Sequence, residues 1–298
     1  MRKGLFAILI SSSFFCFAQQ DGSYSSEGFN TFQYNPASYG NGEFWSVNSF
    51  GRLQWPGVDG APKSILLNGG IQLPIGHLMK SKKNVSIILG SNYMYEEVGF
   101  SKKQAWNFSF GVPIRLGSQS ELKLAVAPGI YSMKFEPDWI PPQTAQDSLL
   151  PGGGKGTTFD LNIGLMFRWR SLYTGFSITH ITAPKMNNMN FQLARHYHLQ
   201  AGYKIPVGSH YVYPMVQAQA DGAGMVFQAM TYFVYKKNLF SVGAGYRLGG
   251  SYLLGAAFEL KGFRLAYNYD IVNNPLATYT NGSHEVRLSY VRRLQGAE

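Results

Sequence analysis

The sequence contains one cysteine, little charge and no long apolar run beyond its N-terminus. Cys16 is the single cysteine among 298 residues, so disulfides are excluded, and thiolate metal sites are excluded wherever the N-terminal leader is removed. Charged residues make up 14% of the chain and aromatic residues 15%, which argues against disorder. No apolar run of about 18 residues follows the leader, which argues against transmembrane helices. A large all-β protein remains.

The first eighteen residues, 1–18, have the layout of a secretory signal peptide. Arg2 and Lys3 precede a mostly apolar segment, and Ala18 lies before polar residues. We expect cleavage to leave a mature chain that begins at Gln19. A lipoprotein anchored at Cys16 is the alternative, and the bulky Phe15 before it disfavours that processing.

Strict alternation of apolar and polar residues runs through the mature chain and predicts β-strands. In residues 159–169 one face is entirely apolar, whereas the other carries Asp160, Asn162, Gly164, Met166 and Arg168. Fourteen such runs lie near residues 44–54, 63–73, 84–95, 104–115, 121–133, 157–168, 171–180, 195–205, 209–219, 225–235, 239–247, 251–260, 262–270 and 284–294. An even number of runs, each long enough to cross a bilayer, predicts an all-β transmembrane antiparallel up-and-down barrel of about 14 strands.

Loop lengths indicate which end of this barrel faces the periplasm, and the composition of the polar face indicates which side of the wall meets lipid. Most connections of one set are short, at 117–120, 169–170, 206–208, 236–238 and 261, although the first, around 75–83, is longer. The opposite set includes the long connections 134–156, 181–194 and 271–283, which is the outer-membrane pattern of short periplasmic turns. The polar face is rich in small uncharged residues, so we expect it to line a lumen while the apolar face meets lipid. A soluble all-β protein is the alternative. The expected organisation is a periplasmic or lumenal segment 19–42, a barrel 43–294 and a tail 295–298, with 19–42 and 134–156 as candidates to plug the lumen.

Charge is distributed unevenly between the two ends of the predicted barrel. Basic residues gather in the short turns and nearby strand ends, and the candidates for binding a periplasmic partner are Lys80, Lys82, Lys83, Arg168, Arg170, Lys236, Lys237, Arg292 and Arg293. Acidic residues lie mainly in the long loops. The alternatives are a solvated rim and contact with anionic lipid head groups.

Charges on the polar face predict an ion network inside the lumen, because buried charges normally pair. Its expected members are Arg264, Asp270, Glu285 and Arg287, with Arg52, Asp160 and Glu259 as further candidates. No catalytic, cofactor or metal site is predicted: His196 and His198 have no third ligand nearby in the sequence, and Ser177 and His180 are expected on opposite strand faces. Basic residues are not interleaved with aromatics on an exposed face, so we expect no nucleic-acid partner.

Four local sequences together resemble the PorP/SprF family of Bacteroidetes outer-membrane proteins over about residues 20–294. They are YNPASYG at 34–40, RLQWPGVDGAP at 52–62, AYNYD at 266–270 and GSHEVRLSY at 282–290. The motif residues carried over are Asn35, Pro36, Ala37, Arg52, Gln54, Trp55, Pro56, Gly57, Pro62, Tyr267, Tyr269, Asp270, His284 and Glu285.

The resemblance implies a non-enzymatic accessory component of type IX protein secretion in the outer membrane. Such proteins support export or surface attachment of large adhesins, including those of gliding motility, and are thought to engage the adhesin's C-terminal signal and the periplasmic ring or peptidoglycan-associated lipoproteins. The motifs also have structural interpretations: a turn at Asn35–Pro36, a stiff loop around Trp55, and pairing of His284 or Glu285 with Asp270 or Arg264. A channel or transporter for small or hydrophobic solutes is the alternative function, and a membrane-embedded enzyme would lack a visible site.

Overall fold

The computed structural model describes residues 22–25, 31–39, 43–75, 85–137, 153–186, 191–236 and 239–293. Fourteen long strands follow one another along the chain. They are β1 (Glu43–Gln54), β2 (Lys63–Pro74), β3 (Ser86–Val98), β4 (Ser101–Arg115), β5 (Ser120–Phe135), β6 (Gly154–Trp169), β7 (Leu172–Thr179), β8 (His196–Tyr203), β9 (His210–Ala220), β10 (Met225–Tyr235), β11 (Phe240–Arg247), β12 (Ser251–Leu260), β13 (Phe263–Val272) and β14 (Ser283–Arg293).

The strands form one closed antiparallel barrel, which confirms the predicted fold. Each strand pairs with the next in sequence, and β1 pairs with β14 from Glu43 opposite Arg293 to Gln54 opposite Ser283. Closure leaves no sheet edge among these strands, as a barrel in hydrocarbon requires. Three short elements accompany it: Ile205–Val207 extends the pairing with β9, and Lys185–Met186 and Phe191–Gln192 form a small hairpin between β7 and β8.

The two faces of the wall have the predicted polarity. Large apolar side chains such as Val47, Trp106 and Leu265 point outward and are 55%, 53% and 55% exposed. Polar side chains point inward and are buried, including an asparagine at one register level in each of β1 to β4: Asn48, Asn68, Asn92 and Asn107. No helix in the described part of the chain is long and apolar enough to cross a membrane.

The barrel has a short-turn end and a long-loop end. Residues 116–119, 170–171 and 261–262 belong to the short-turn end, and residues 55–62 and 273–282 connect strands at the long-loop end. The strands reach further into the loops than the alternation predicts. Because β4 begins at Ser101, the β3–β4 connection is only residues 99–100, and because β6 begins at Gly154, the expected loop 134–156 is shorter.

Candidate functional site

Residues 22–25 and 31–39, which we call the lumenal segment, lie inside the barrel. Tyr24, Tyr34, Ala37 and Tyr39 are at most 4% exposed and pack against inward-facing side chains of the wall. Residues 22–25 lie toward the long-loop end and Tyr39 toward the short-turn end, where β1 begins. The segment therefore runs along the interior of the barrel.

Asn35 anchors the middle of the lumenal segment to the wall. Its side-chain Nδ2 donates to the carbonyl oxygens of Leu165 on β6, at 3.0 Å, and Phe176 on β7, at 3.5 Å. Its Oδ1 accepts from the Ala37 amide at 2.9 Å and caps the short 3₁₀ turn Pro36–Ser38. A Cβ at Gly164 would lie 2.1 Å from Asn35 Oδ1, so Asn35 can occupy this position only because residue 164 on β6 is glycine.

Tyr39 holds the other end of the segment near the short turns. Its ring lies on Gly70 and Gly90, where an added Cβ would come within 2.1 and 2.6 Å of ring carbons. Its hydroxyl donates to the Ser91 carbonyl at 3.0 Å, and its own carbonyl accepts from buried Lys123 Nζ at 3.2 Å. Burial raises the pKa of the Tyr39 phenol above its ordinary value, so the hydroxyl keeps the proton that it donates.

Two arginines and two carboxylates, which we call the ion cluster, lie toward the long-loop end. Arg52 pairs with Glu285 and, at 3.1 Å, with Asp270, and Arg247 Nη1 lies 2.8 Å from the same Asp270 oxygen. Ser25 joins the lumenal segment to this cluster: its amide donates to Glu285 at 2.8 Å, its hydroxyl donates to Asp270, and that hydroxyl accepts from Arg247 at 2.7 Å. The formal charges balance, which offsets much of the cost of burying them.

Part of the predicted ion network lies elsewhere in the lumen. Arg264 Nη1 lies 3.7 Å from Glu259 on β12 and does not share the carboxylates of the ion cluster. His180 Nδ1 lies 2.8 Å from Asp160 Oδ2, within hydrogen-bond distance. The network is therefore divided into separate buried groups, and Arg247 is a member of the ion cluster that sequence reasoning missed.

Histidines form a further buried group that the sequence did not bring together. His180 has φ of +55°, which turns its side chain into the lumen, so the expectation that Ser177 and His180 occupy opposite faces is wrong. His196 Nε2 lies 3.5 Å from Asp221, and the His198 ring stacks on Tyr34 with centroids 4.6 Å apart. No three ligands within the described ranges are placed to hold a metal ion.

The remaining motif residues belong to the long-loop end and the outer face. Trp55 and Gly57 have φ of +48° and +97° in loop 55–62, and that loop is joined to 273–282 by the Thr280 hydroxyl, which donates to the Pro56 carbonyl at 3.2 Å. Gln54 ends β1 and Pro62 immediately precedes β2.

His284 lies on the outward face and does not pair with Asp270 or Arg264 as expected. Its Nδ1 is 2.7 Å from the Tyr267 hydroxyl, and its ring centroid is 5.0 Å from that of Tyr269. The physical reason is the period of the strand: Glu285 points inward to Arg52, so its neighbour must point outward.

Four of the nine basic candidates can be placed at the short-turn end with their side chains. Arg168 lies 3.6 Å from Glu121, Arg170 donates to Gln119 at 2.6 Å and stands over the Trp169 ring, and Lys236 and Arg292 are exposed. Lys80, Lys82, Lys83 and Lys237, and the side chain of Arg293, lie outside the described residues, as do the leader 1–18 and the tail 295–298.

Replacing Asn35 by leucine should lower the free energy of unfolding by about 1–3 kcal/mol. The substitution removes the donor to Leu165, and it leaves the buried Ala37 amide without the acceptor that Asn35 Oδ1 provides. Guanidinium unfolding in detergent micelles measures the effect. The control is Asn281→Leu in an exposed loop position, and an equal loss in both variants would contradict the anchoring role of Asn35.

A family model described as type IX secretion system membrane protein PorP/SprF matches residues 16–290. A comparison with curated proteins finds no match. Similar solved structures include a TodX monoaromatic hydrocarbon channel deltaS2 mutant, at 10% identity and TM-score 0.47 over 84% of this chain and 89% of that one. A Pseudomonas aeruginosa FadL homologue is 9% identical with TM-score 0.46 over 83% and 89% of the two chains. Such distant likenesses say nothing about what this chain does.

Proposed function

Because this chain belongs to the PorP/SprF family of type IX secretion system membrane proteins, we propose that it is a non-enzymatic outer-membrane docking subunit of that system. In this role it supports the export or surface attachment of large adhesins, of the kind used in gliding motility. Its signal peptide is cleaved, and the short-turn end of the barrel faces the periplasm.

The observation that carries this proposal is the position of the lumenal segment. A solute channel needs a continuous aqueous path, whereas here Tyr24, Tyr34 and Tyr39 occupy the interior at three levels. The cavity beside Ser25 measures about 10 Å³, which is no more than one water molecule needs. A barrel filled in this way favours docking over solute transport.

The two ends of the barrel suit two kinds of partner. At the long-loop end, the Thr280 hydroxyl of loop 273–282 donates to the Pro56 carbonyl of loop 55–62, and the Trp55 amide donates to the Ser283 hydroxyl at the start of β14. The surface formed by these joined segments suits the C-terminal signal domain of an adhesin. At the short-turn end, exposed Lys236 and Arg292 suit an acidic surface on a periplasmic ring protein or peptidoglycan-associated lipoprotein.

Deleting the gene should leave specific large adhesins off the cell surface while small-solute uptake stays normal. Restoring the wild-type gene should restore display, measured by surface immunolabelling. Unchanged adhesin display in the deletion strain would overturn the proposal, and lost uptake of one solute class would favour the transporter.

Charge reversal separates the periplasmic contact from general barrel function. Complementation with Lys236→Glu and Arg292→Glu together should reduce adhesin display. The matched charge control is Lys102→Glu with Lys134→Glu at the long-loop end, which should reduce display less. Barrel folding in both variants is checked by heat-modifiable gel mobility. Equal display with both pairs would contradict a partner at the short-turn end.

A further inference from the structure

A short hairpin folds back into the lumen at the long-loop end of the barrel. Its two arms are residues 181–186, which follow β7, and residues 191–195, which precede β8, and we call them the hairpin arms. Met186 and Leu193 on these arms are 3% and 5% exposed. A Cβ at Gly156, which faces the lumen from β6, would lie 2.7 Å from Met186 Sδ. The apolar side chains of the arms therefore lie inside the barrel, against its wall.

The hairpin arms share one apolar cluster with the lumenal segment. Met186 and Leu193 belong to the same buried cluster as Tyr34 of that segment and Tyr131 on β5. Tyr34 also stacks on His198 of β8, with ring centroids 4.6 Å apart. The cluster joins the arms, the segment and the wall, so the arms cannot leave the lumen without removing part of the packing around the segment.

The two arms are tied to each other and form one unit. The hydrogen bonds that cross between them run from Arg195 Nε to the Ile181 carbonyl at 2.8 Å, from Gln192 Nε2 to the Ala183 carbonyl at 3.0 Å, and from the Leu193 amide to the Pro184 carbonyl at 3.0 Å. Strand pairing within the described arms covers two positions, whereas β7 and β8 pair at eight. Segments with short pairing and few buried apolar side chains open at a lower free energy than long paired strands. We therefore expect the arms to move together, and before the wall does.

Buried histidines hold the two bases from which the arms extend. The rings of His180 and His196 lie 5.7 Å apart. The His180 amide donates to Asn162 Oδ1 at 2.9 Å, and His196 Nε2 lies 3.5 Å from Asp221. Beyond the first base the chain bends sharply, with φ of +55° at His180 and +44° at Ala183, a conformation that residues other than glycine adopt at a cost. The bases are thus fixed to the barrel, and the bend beside them is a place where the chain can turn.

We propose that the hairpin arms are a gate over the long-loop end of the lumen, which opens by turning about His180 and His196 and thereby releases Tyr34 of the lumenal segment. The short pairing of the arms permits this movement, the fixed bases define its hinge, and the shared apolar cluster couples it to the segment. With the gate closed, the segment is held inside the barrel at this end. This inference concerns how the lumen is closed and does not depend on the secretion role.

A disulfide that locks the gate tests the proposal. Gly156→Cys with Met186→Cys is introduced into the full chain carrying Cys16→Ser. An added Cβ at position 156 would lie 2.9 Å from Met186 Cβ, and a disulfide holds two Cβ atoms about 3.8 Å apart, so a small shift suffices. Hydrogen–deuterium exchange with mass spectrometry compares the oxidised and reduced protein in detergent micelles. Oxidation should slow exchange in residues 191–195 and also in residues 31–39 by at least about tenfold, while β13 and β14 keep their rates.

A second variant loosens the gate without a crosslink. Met186→Ser removes a buried apolar side chain and should accelerate exchange in residues 31–39 about tenfold, again with β13 and β14 unchanged. The matched control is Met225→Ser, because Met225 at the start of β10 is 69% exposed, and its replacement should change exchange by less than about twofold.

Four results would overturn the proposal. The disulfide may fail to form, which would contradict the contact between Met186 and position 156, or it may form and leave exchange in residues 31–39 unchanged. Met186→Ser may behave like Met225→Ser. Finally, Met186→Ser may accelerate exchange in all strands equally, which would make the hairpin arms part of the barrel core and not a gate.

Discussion

Replacing Gly70 by alanine is expected to displace Tyr39 and to give the barrel an ion conductance above that of the parent chain. The new Cβ would lie 2.1 Å from a Tyr39 ring carbon, and the ring cannot shift within its fully buried site. Tyr39 would lose its bond to the Ser91 carbonyl, and Lys123 would lose the Tyr39 carbonyl that it binds. Overpacking of this kind costs about 1–3 kcal/mol.

Planar-bilayer recording measures the conductance, and guanidinium unfolding measures the stability. The matched control is Gly51→Ala, because a Cβ there meets nothing within 4 Å and the backbone is ordinary extended strand. Gly90→Ala should reproduce the effect from the other side of the same ring. If Gly70→Ala and Gly51→Ala show the same conductance and the same free energy of unfolding, the lumenal segment does not close the barrel through Tyr39.

Replacing Arg52 by leucine should lower the free energy of unfolding by about 3–5 kcal/mol, the cost of leaving a buried charge without its partner. Arg52 is 4% exposed and contacts both Asp270 and Glu285, which are 1% and 0% exposed. With Arg52 gone, Asp270 and Glu285 would lose the guanidinium that they share. Ser25, which both carboxylates bind, should also come loose, so protease cleavage within the lumenal segment should accelerate.

Lys134→Leu is the control for this prediction. Lys134 pairs with Glu136 at the long-loop end, where the two side chains are 48% and 47% exposed. A pair in water contributes at most about 1 kcal/mol, so its loss should be small. Similar losses for Arg52→Leu and Lys134→Leu would show that the ion cluster does not stabilise the barrel.

The fold could be predicted from the sequence because successive residues of a strand point to opposite faces of the sheet, so the polarity of each face appears at every second position. Every second residue from Phe159 to Trp169 is apolar, and β6 covers Gly154–Trp169 with Asp160 buried and Phe159 exposed. Strand ends were less accurate: β6 begins three residues before the predicted 157. Hydrogen bonding continues past the last alternating residue, since the backbone needs no particular side chain to pair.

The candidate site was predicted only in part. Motif residues Arg52, Asp270 and Glu285 do meet, as their shared polar face suggested, but Ser25 and Arg247 complete the cluster from distant parts of the chain. The Asn35 motif was visible in the sequence, yet nothing near it indicates that its side chain binds carbonyls on β6 and β7. From the sequence, Gly70 and Gly164 indicated only that the polar face has room at these positions, and not that Tyr39 and Asn35 occupy it.

The sequence by itself determined the number of strands, the outward apolar face and the polar lumen, because these depend on a period of two residues within each strand. Only the tertiary structure decided what fills the lumen and which charges share a partner. Several of those contacts join residues more than 100 positions apart, such as Ser25 with Asp270 and Asn35 with Leu165. These contacts form because closure of the barrel brings distant strands around the lumenal segment, and no local sequence pattern predicts which strands meet there.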